Sequence, residues 1–145
     1  MAIKFRNRYL VCSLHIKDCT PSLLKSVARQ TILAAILASL QSLCGDVVVG
    51  RVKASLTIKD VHVVTDADQQ QQQHVLFLLR VDRSCVREVW LALTCVTSVE
   101  MRVARIRVED VGGGIEKVKE RYAVRLTRGG VAEEEVTRRV AALET

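Results

Sequence analysis

The order in which the apolar residues change their spacing constrains the fold of this chain more than any other feature. Alternation with a period of two, typical of strands, marks residues 8–16, 47–64, 74–82 and 101–111. Helical spacing separates these segments at residues 21–43 and 84–96, and it returns at residues 115–126 and 132–143. The predicted order of elements is therefore β-α-β-β-α-β, followed by further helices.

This order predicts an α+β fold of the ferredoxin-like, RNA-recognition-like (RRM-like) type. Such a split βαβ sandwich has an antiparallel four-stranded sheet with two helices on one face, and here it would carry extra C-terminal helices. Residues 74–82 are apolar on both faces, so we expect each side of this strand to be covered. The third helix or a partner protein would supply the second cover.

Local signals predict where the first helix begins and ends. Thr20 is a suitable N-cap, and Pro21 suits the first helical position because its missing N–H costs nothing there. Gly45 is a natural stop. We therefore expect one continuous helix from Pro21 to about Leu43.

Two further assignments place residues of interest. Val47–Val64 alternates as one long strand, with Arg51 and Lys53 on its polar face. In the second helix, Ser84 is the expected N-cap, and Trp90 shares the apolar stripe and is expected in the core.

The length of 145 residues predicts one domain with a tail. Residues 1–128 form the predicted RRM-like domain, and the glutamine-rich stretch 66–73 within it is expected to be an exposed, mobile hairpin loop. Residues 129–145 are net acidic and are expected to form a C-terminal helical tail.

The positive charge is concentrated in two segments. The formal net charge is +6, residues 1–17 carry four cations and no acid, and residues 102–128 carry eight cations against four acids. Clustered cations suggest a polyanionic partner, although ordinary solubilising charge explains the same total equally well. Aromatic residues make up only 3% of the chain, and the two central strands offer only Tyr9 and Phe77, so readout of bases by stacking is disfavoured.

Several other classes of protein are disfavoured. The apolar stretch 32–40 is too short to span a bilayer, and the first residues lack a signal peptide's apolar core. Five irregularly spaced cysteines indicate reduced thiols rather than a disulfide framework or a metal site. An acylphosphatase would need an Arg in a Gly-containing loop after the first strand, and residues 17–20 carry none. No catalytic triad or zinc-protease motif occurs, so we expect no catalytic and no metal-binding residues.

Four stretches resemble the small RNA-recognition-like protein subunit of archaeal and eukaryotic ribonuclease P, which is shared with ribonuclease MRP. They are FRNRYLVC at 5–12, VARQTI at 27–32, VREVWLAL at 86–93 and DVGGGI at 110–115. The similarity covers roughly residues 3–126. The chain departs from the family pattern in its glutamine run and in Gly114, which replaces a small hydroxyl residue.

The resemblance implies a non-catalytic subunit that assists an RNA enzyme in removing the 5′ leader of precursor tRNA. The implied partners are the catalytic RNA, a TIM-barrel-like protein subunit and other subunits, with precursor tRNA met indirectly and no membrane involved. Mg²⁺ would be bound by the RNA, and the protein itself would hold no cofactor. The implied location is the nucleus and nucleolus. Two alternatives remain open: a basic protein–protein interaction module, and a ribosomal-type RNA-binding protein.

The candidate RNA-binding residues combine the cationic segments with the stretches that carry the resemblance. Arg forks fit phosphate oxygens, and backbone N–H groups of a glycine turn at a helix N-terminus also suit phosphate. The candidates are Lys4, Phe5, Arg6, Asn7, Arg8, Tyr9, Arg51, Lys53, Arg105, Arg107, Gly112, Gly113, Gly114, Lys117, Lys119 and Arg121.

Overall fold

The computed structural model describes residues 7–17, 20–66 and 72–143. Its strands are β1 (Asn7–Ile16), β2 (Thr57–Asp66), β3 (Gln72–Asp82), β4 (Ser98–Val99) and β5 (Arg102–Gly112). Its helices are α1 (Pro21–Ser26), α2 (Arg29–Cys44), α3 (Asp46–Lys53), α4 (Val86–Thr94), α5 (Ile115–Arg128) and α6 (Glu133–Ala142).

The strands form one antiparallel sheet in the order β2-β3-β1-β5-β4. Without the two-residue β4, this is the strand order of a split βαβ sandwich, so the predicted α+β, ferredoxin-like fold is confirmed. The sheet has two covered faces. We call the face beneath α1–α4 the inner face and the face beneath α5 and α6 the outer face.

The inner core joins the sheet to the first four helices. Alternate strand residues, among them Leu10, Phe77 and Ile106, pack against Ile32 and Ile36 of α2. Each of these side chains is nearly or fully buried. The apolar face of the alternating strands therefore packs against the apolar face of α2, as the sequence predicted.

The outer core is built by the chain's own C-terminal helices. Leu76 and Leu78 of β3 pack beneath Tyr122 and Leu126 of α5, and Val136 of α6 closes the cluster. The expectation that β3 is covered on both faces is confirmed, and the second cover is the third predicted helix together with the one after it.

Two β-bulges change which residues face outward. In β5 the register shifts so that Glu109 is the extra residue opposite Val11 and Cys12, and Glu109 and Asp110 both reach the outer face. In β2 the register shifts at Lys59, which turns Asp60 to the outer face although Ile58 is inward. The bulges thus place three carboxylates beneath α5 and α6.

The prediction of a single strand over Val47–Val64 is wrong in its first half, because residues 46–53 form α3. Val48 and Val52 are four residues apart, so they share a helical face as readily as a strand face, and Val52 is fully buried in the inner core. Asp46 lies in the first turn of α3 and Arg51 in its last, which suits the helix dipole.

The helix predicted over residues 21–43 is broken. Its start is confirmed, because Oγ1 of Thr20 accepts a hydrogen bond from the Leu23 N–H at 3.4 Å. Gly45 ends α2 with a φ of +84°, also as predicted. Between them, Val27 and Ala28 adopt extended backbone angles, so α1 and α2 are separate helices.

The predicted cap of the second helix is wrong. Residues 83–85 form a 3₁₀ turn before α4, and the capping group is Asp82, whose carboxylate accepts hydrogen bonds from the backbone N–H and the hydroxyl of Ser84. A carboxylate two residues upstream satisfies these groups, so Ser84 acts as a donor rather than a cap.

The expectation that Trp90 lies in the core is also wrong. Trp90 is 44% exposed, whereas the buried face of α4 consists of Val89, Ala92 and Leu93. A short helix against a sheet buries a narrow stripe, and Trp90 lies beside that stripe rather than within it.

The glutamine-rich segment joins β2 to β3, as expected for a hairpin connection. Both strands extend further into it than predicted, to Asp66 and from Gln72, and the residues between them lie outside the described part of the chain. Among the described helices, none has the length and apolarity needed to cross a membrane.

Candidate nucleic-acid interface

The predicted N-terminal arm is only partly within the described structure. Lys4, Phe5 and Arg6 lie outside the described residues, whereas Asn7 and Arg8 begin β1 and pair with Asp82 and Val81 of β3. The last part of the arm is therefore a fixed strand end.

Arg8 lies against the glycine turn between β5 and α5. A Cβ added to Gly113 would sit 2.7 Å from Nη1 of Arg8, so the guanidinium group fills the space beside this glycine. The same nitrogen donates a hydrogen bond of 3.3 Å to the carbonyl oxygen of Asn7. The fold thus brings together two candidates that are more than one hundred residues apart in the sequence.

The glycines of this turn have different roles. A Cβ at Gly112 would lie 2.5 Å from Cγ2 of Val118, so glycine is needed there for α5 to pack against β5. Gly114 has open space around it and is the N-cap of α5, without a side-chain hydrogen bond. Tyr9 pairs with Gly112 and packs, partly buried, against the outer core.

The cations of α5 divide by their partners. Lys117 is exposed in the first turn of the helix, beside the glycine turn. Lys119 is only 7% exposed and lies 3.7 Å from a carboxylate oxygen of Glu116. Arg121 lies 3.6 Å from Asp110, so its charge is partly used to hold α5 to β5.

Arg105 and Arg107 are exposed on the outer face of β5. Their partners across β1 are His15 and Ser13, respectively. Among the described residues neither arginine has an ion-pair partner, whereas the nearby Glu109 is engaged by the Ser13 hydroxyl at 2.8 Å and by Arg125 at 3.5 Å. The strand therefore presents unneutralised positive charge.

Arg51 and Lys53 are exposed at the end of α3, not on a strand as predicted. Because α3 packs into the inner core through Val52, these two cations belong to the inner layer of the molecule. They lie in a different layer from the outward-facing arginines of β5.

The structure also brings together two histidines that are not among the residues predicted from the sequence. The rings of His15 and His74 stack with centroids 4.7 Å apart and an interplanar angle of 24°. Burial lowers the pKa of His15, and the neighbouring His74 and Arg105 lower it further. Strand alternation predicts that His15 lies on the same face as Ser13. That His15 meets His74 of β3 follows only from the register of the two strands.

The candidates therefore form separate cationic regions rather than one surface. The glycine turn with Arg8 lies at one end of β1, and His15 lies about 23 Å away at the other end, given the rise of a strand. In the described part of the chain, no group of three or more His, Cys, Asp or Glu side chains could hold a metal ion. The chemistry available to these regions is the binding of anions.

The fold defines this protein as an RNA-recognition-like α+β protein whose sheet face is closed by its own helices. The chain belongs to the Rpp14/Pop5 family, whose family model matches residues 8–123. It is therefore a protein subunit of the ribonuclease P and MRP ribonucleoproteins, and it takes part in tRNA processing.

Two further comparisons give less. No curated protein matches the sequence significantly. A chain in the cryo-EM structure of yeast ribonuclease MRP is 10% identical with a TM-score of 0.48, and the match covers 88% of this chain and 98% of that chain. At this level of similarity the match adds nothing to the family assignment.

Proposed function

We propose that this subunit is non-catalytic and that it binds the catalytic RNA of ribonuclease P during 5′-leader removal from precursor tRNA. Its role is electrostatic: cationic side chains offset phosphate repulsion, so that folded RNA and substrate approach each other at lower Mg²⁺. The hydrolysis itself is assigned to metal ions held by the RNA. The protein partner next to it is a TIM-barrel-like subunit, and the complex works in the nucleus and nucleolus.

The observation that carries this proposal is the unneutralised charge of Arg105 and Arg107. Among the described residues neither arginine has an ion-pair partner, and the acids of the same strand, Glu109 and Asp110, are bound by Arg121 and Arg125 of α5. Guanidinium groups left without carboxylates are suited to phosphate oxygens. Arg8 at the glycine turn supplies a second cationic point.

The alternative of a purely protein-binding module loses its main support. It was favoured by the apolar outer side of β3, and Leu76 and Leu78 on that side are 2% and 0% exposed beneath α5. On the same face of β5, Arg105 and Arg107 are exposed, which favours a polyanion, and Val103 is the exposed apolar residue beside them.

Reconstitution tests the proposal. The purified chain is added to the cognate RNA with the other protein subunits, and cleavage of precursor tRNA is measured across a Mg²⁺ titration with and without the chain. We expect the chain to lower the Mg²⁺ concentration needed for half-maximal cleavage. An identical Mg²⁺ dependence with and without the chain would reject the electrostatic role, and cleavage by the protein without RNA would reject a non-catalytic one.

A further inference from the structure

A polar row crosses the outer face of the sheet at the end of β1 away from the glycine turn. His74 of β3 stacks on His15 of β1, and His15 is paired in register with Arg105 of β5. Arg107 lies two residues further along β5 on the same face, opposite Ser13. We call these four side chains, His74, His15, Arg105 and Arg107, the histidine–arginine row.

The row lies beside the C-terminal helices rather than beneath them. Helix α5 packs onto β5 at Gly112, reaches β2 at Asp60 and ends against Val64. His15 and His74 keep intermediate exposure, and both arginines of the row are exposed. An extended ligand can therefore contact both arginines and the partly exposed His15 from solvent.

The net charge of the row is positive. Among the described residues, Glu109 is the acid that acts on His15, and this carboxylate already accepts a hydrogen bond from Ser13 and pairs with Arg125. Arg105 and Arg107 have no ion-pair partner within the described residues. Their Cα atoms are about 7 Å apart because alternate residues of a strand point the same way.

We propose that the histidine–arginine row binds the phosphodiester backbone of an RNA strand, with Arg105 and Arg107 on successive phosphates and the imidazole of His15, stacked on His74, beside them. This inference rests on the proposed function, since it names one site for the RNA contact. It differs from base recognition because the two rings are stacked on each other, so one face of each ring is already covered.

A linear polyanion fits this geometry better than an acidic protein segment. The two guanidinium groups repeat along one straight strand, which suits a polymer with one anion per unit and planar, bidentate acceptors. A single carboxylate side chain would satisfy one arginine and leave the other unpaired. Binding measurements with other oligomers distinguish an RNA strand from an acidic protein segment.

RNA binding at the histidine–arginine row is expected to be accompanied by protonation of His15. His15 is largely neutral at neutral pH because burial, His74, Arg105 and Arg107 lower its pKa, against an opposing effect of Glu109. A phosphate placed beside the imidazole favours its charged form. The affinity for RNA should therefore rise as the pH falls, by up to about tenfold per pH unit for each proton bound.

The experiment measures binding of the full chain to a labelled oligouridylate of about 12 nucleotides, by fluorescence anisotropy, within the usual range of single-strand site sizes. Affinities are measured from about pH 8 to about pH 5.5, where histidine changes its charge. The variants are H15Q/H74Q, R105A/R107A and H62Q. The last is a matched control, because His62 is the third of only three histidines and lies near Arg139 and Glu135 instead.

We expect H15Q/H74Q to abolish most of the pH dependence and H62Q to retain it. R105A/R107A should weaken binding and reduce the slope of log affinity against log salt by about 1.4, because each phosphate contact on a single strand contributes about 0.7. An unchanged pH dependence in H15Q/H74Q, or an unchanged salt slope in R105A/R107A, overturns the proposal. Thermal unfolding of each variant verifies that it is folded, and the arginine variant, altered only at exposed positions, tests the row independently.

Two other oligomers identify the ligand. An uncharged morpholino oligomer of the same bases should not bind, and an oligoglutamate of the same length should bind more weakly than the RNA. Equal behaviour of either with the RNA overturns the assignment to phosphodiesters. If RNA binding persists without the proton linkage, this inference alone fails, whereas no RNA binding at any pH rejects the RNA contact of the proposed function as well.

Discussion

The hydroxyl of Tyr122 on α5 donates a hydrogen bond of 2.7 Å to Oδ2 of Asp60 on β2, sixty-two residues away in the sequence. Arg139 of α6 donates to the other oxygen, Oδ1, at 2.8 Å. One buried carboxylate therefore holds both C-terminal helices to the outer face of the sheet.

Removing that carboxylate should destabilise the fold more than removing the tyrosine hydroxyl. Asp60→Ala leaves the buried Tyr122 hydroxyl without its acceptor and leaves Arg139 paired only with Glu135, and we expect a loss of about 3 kcal/mol in the free energy of unfolding. Tyr122→Phe removes one hydrogen bond and should cost about 1 kcal/mol. Urea unfolding measures both. Equal costs for the two variants would contradict the shared role of Asp60.

Tyr122 also predicts sensitivity to alkali. Burial raises its pKa well above the ordinary 10.0, and Asp60 adds to this shift. In the unfolded chain the hydroxyl ionises near pH 10, whereas the folded protein keeps the proton. Stability is therefore complete below about pH 10 and decreases as the pH rises above it.

The measurement is the urea midpoint at about pH 8 and about pH 11, on either side of the tyrosine pKa. The variant Tyr122→Phe should lose less stability over this interval than the native chain. Tyr9→Phe is the control, because Tyr9 is only partly buried, and it should retain the native alkaline slope. A native slope in Tyr122→Phe would show that other groups cause the alkaline loss.

Gly112 should tolerate no side chain. In Gly112→Ala the new Cβ meets Cγ2 of Val118, which is 1% exposed in the outer core and has little room to move. We expect a destabilisation of about 1–3 kcal/mol, as for overpacking elsewhere.

Gly114→Ser is the matched control in the same turn. Nothing lies within 4 Å of a Cβ at that position, and a hydroxyl would cap α5, which has no side-chain cap. It should gain a few tenths of a kcal/mol. A comparable loss at both positions in thermal unfolding would disprove the close approach at Gly112.

Trp90 should contribute little to stability because it is 44% exposed. Trp90→Ala is expected to cost less than about 1 kcal/mol, whereas Leu93→Ala on the buried face of α4 should cost about 2–5 kcal/mol. Trp90 is the one tryptophan of the chain, so its fluorescence should be readily quenched by acrylamide. A quenching-resistant emission would place it in the core after all.

Arg8 should contribute charge to RNA binding from the glycine turn. Arg8→Ala should weaken the affinity and lower the salt slope by about one, while Arg8→Lys keeps most of both because the charge remains. Arg138→Ala serves as a control, since Arg138 is exposed on α6 and lies 3.5 Å from Glu135. If Arg8→Ala keeps the native RNA affinity, the start of β1 is not part of the RNA interface.

Much of the fold could be read from periodicity. Alternation located β1, β3 and β5, and the apolar residues on both sides of β3 correctly required two covers, because these patterns record which side chains meet solvent. The same reasoning failed at residues 46–53. Val48 and Val52 satisfy a strand and a helix equally, and packing against the inner core selected the helix.

The candidate site was predictable only in its residue types. Cationic segments and the glycine turn are visible in the sequence, and so is the outward direction of Arg105 and Arg107. Strand register decided that His15 stacks on His74 and that Arg8 meets Gly113. Such contacts join residues far apart along the chain, and no local pattern encodes the register that brings them together.

The sequence by itself determined the order of elements, the α+β class and the cationic character of this protein, because each depends on neighbouring residues. The tertiary structure decided which charges remain available. Bulges at Lys59 and Glu109 turned carboxylates beneath α5 and α6, where tyrosine and arginine side chains engage them. Within the described part of the chain, Arg105 and Arg107 of β5 were left without acidic partners, since charge pairing is set by distance in the folded molecule.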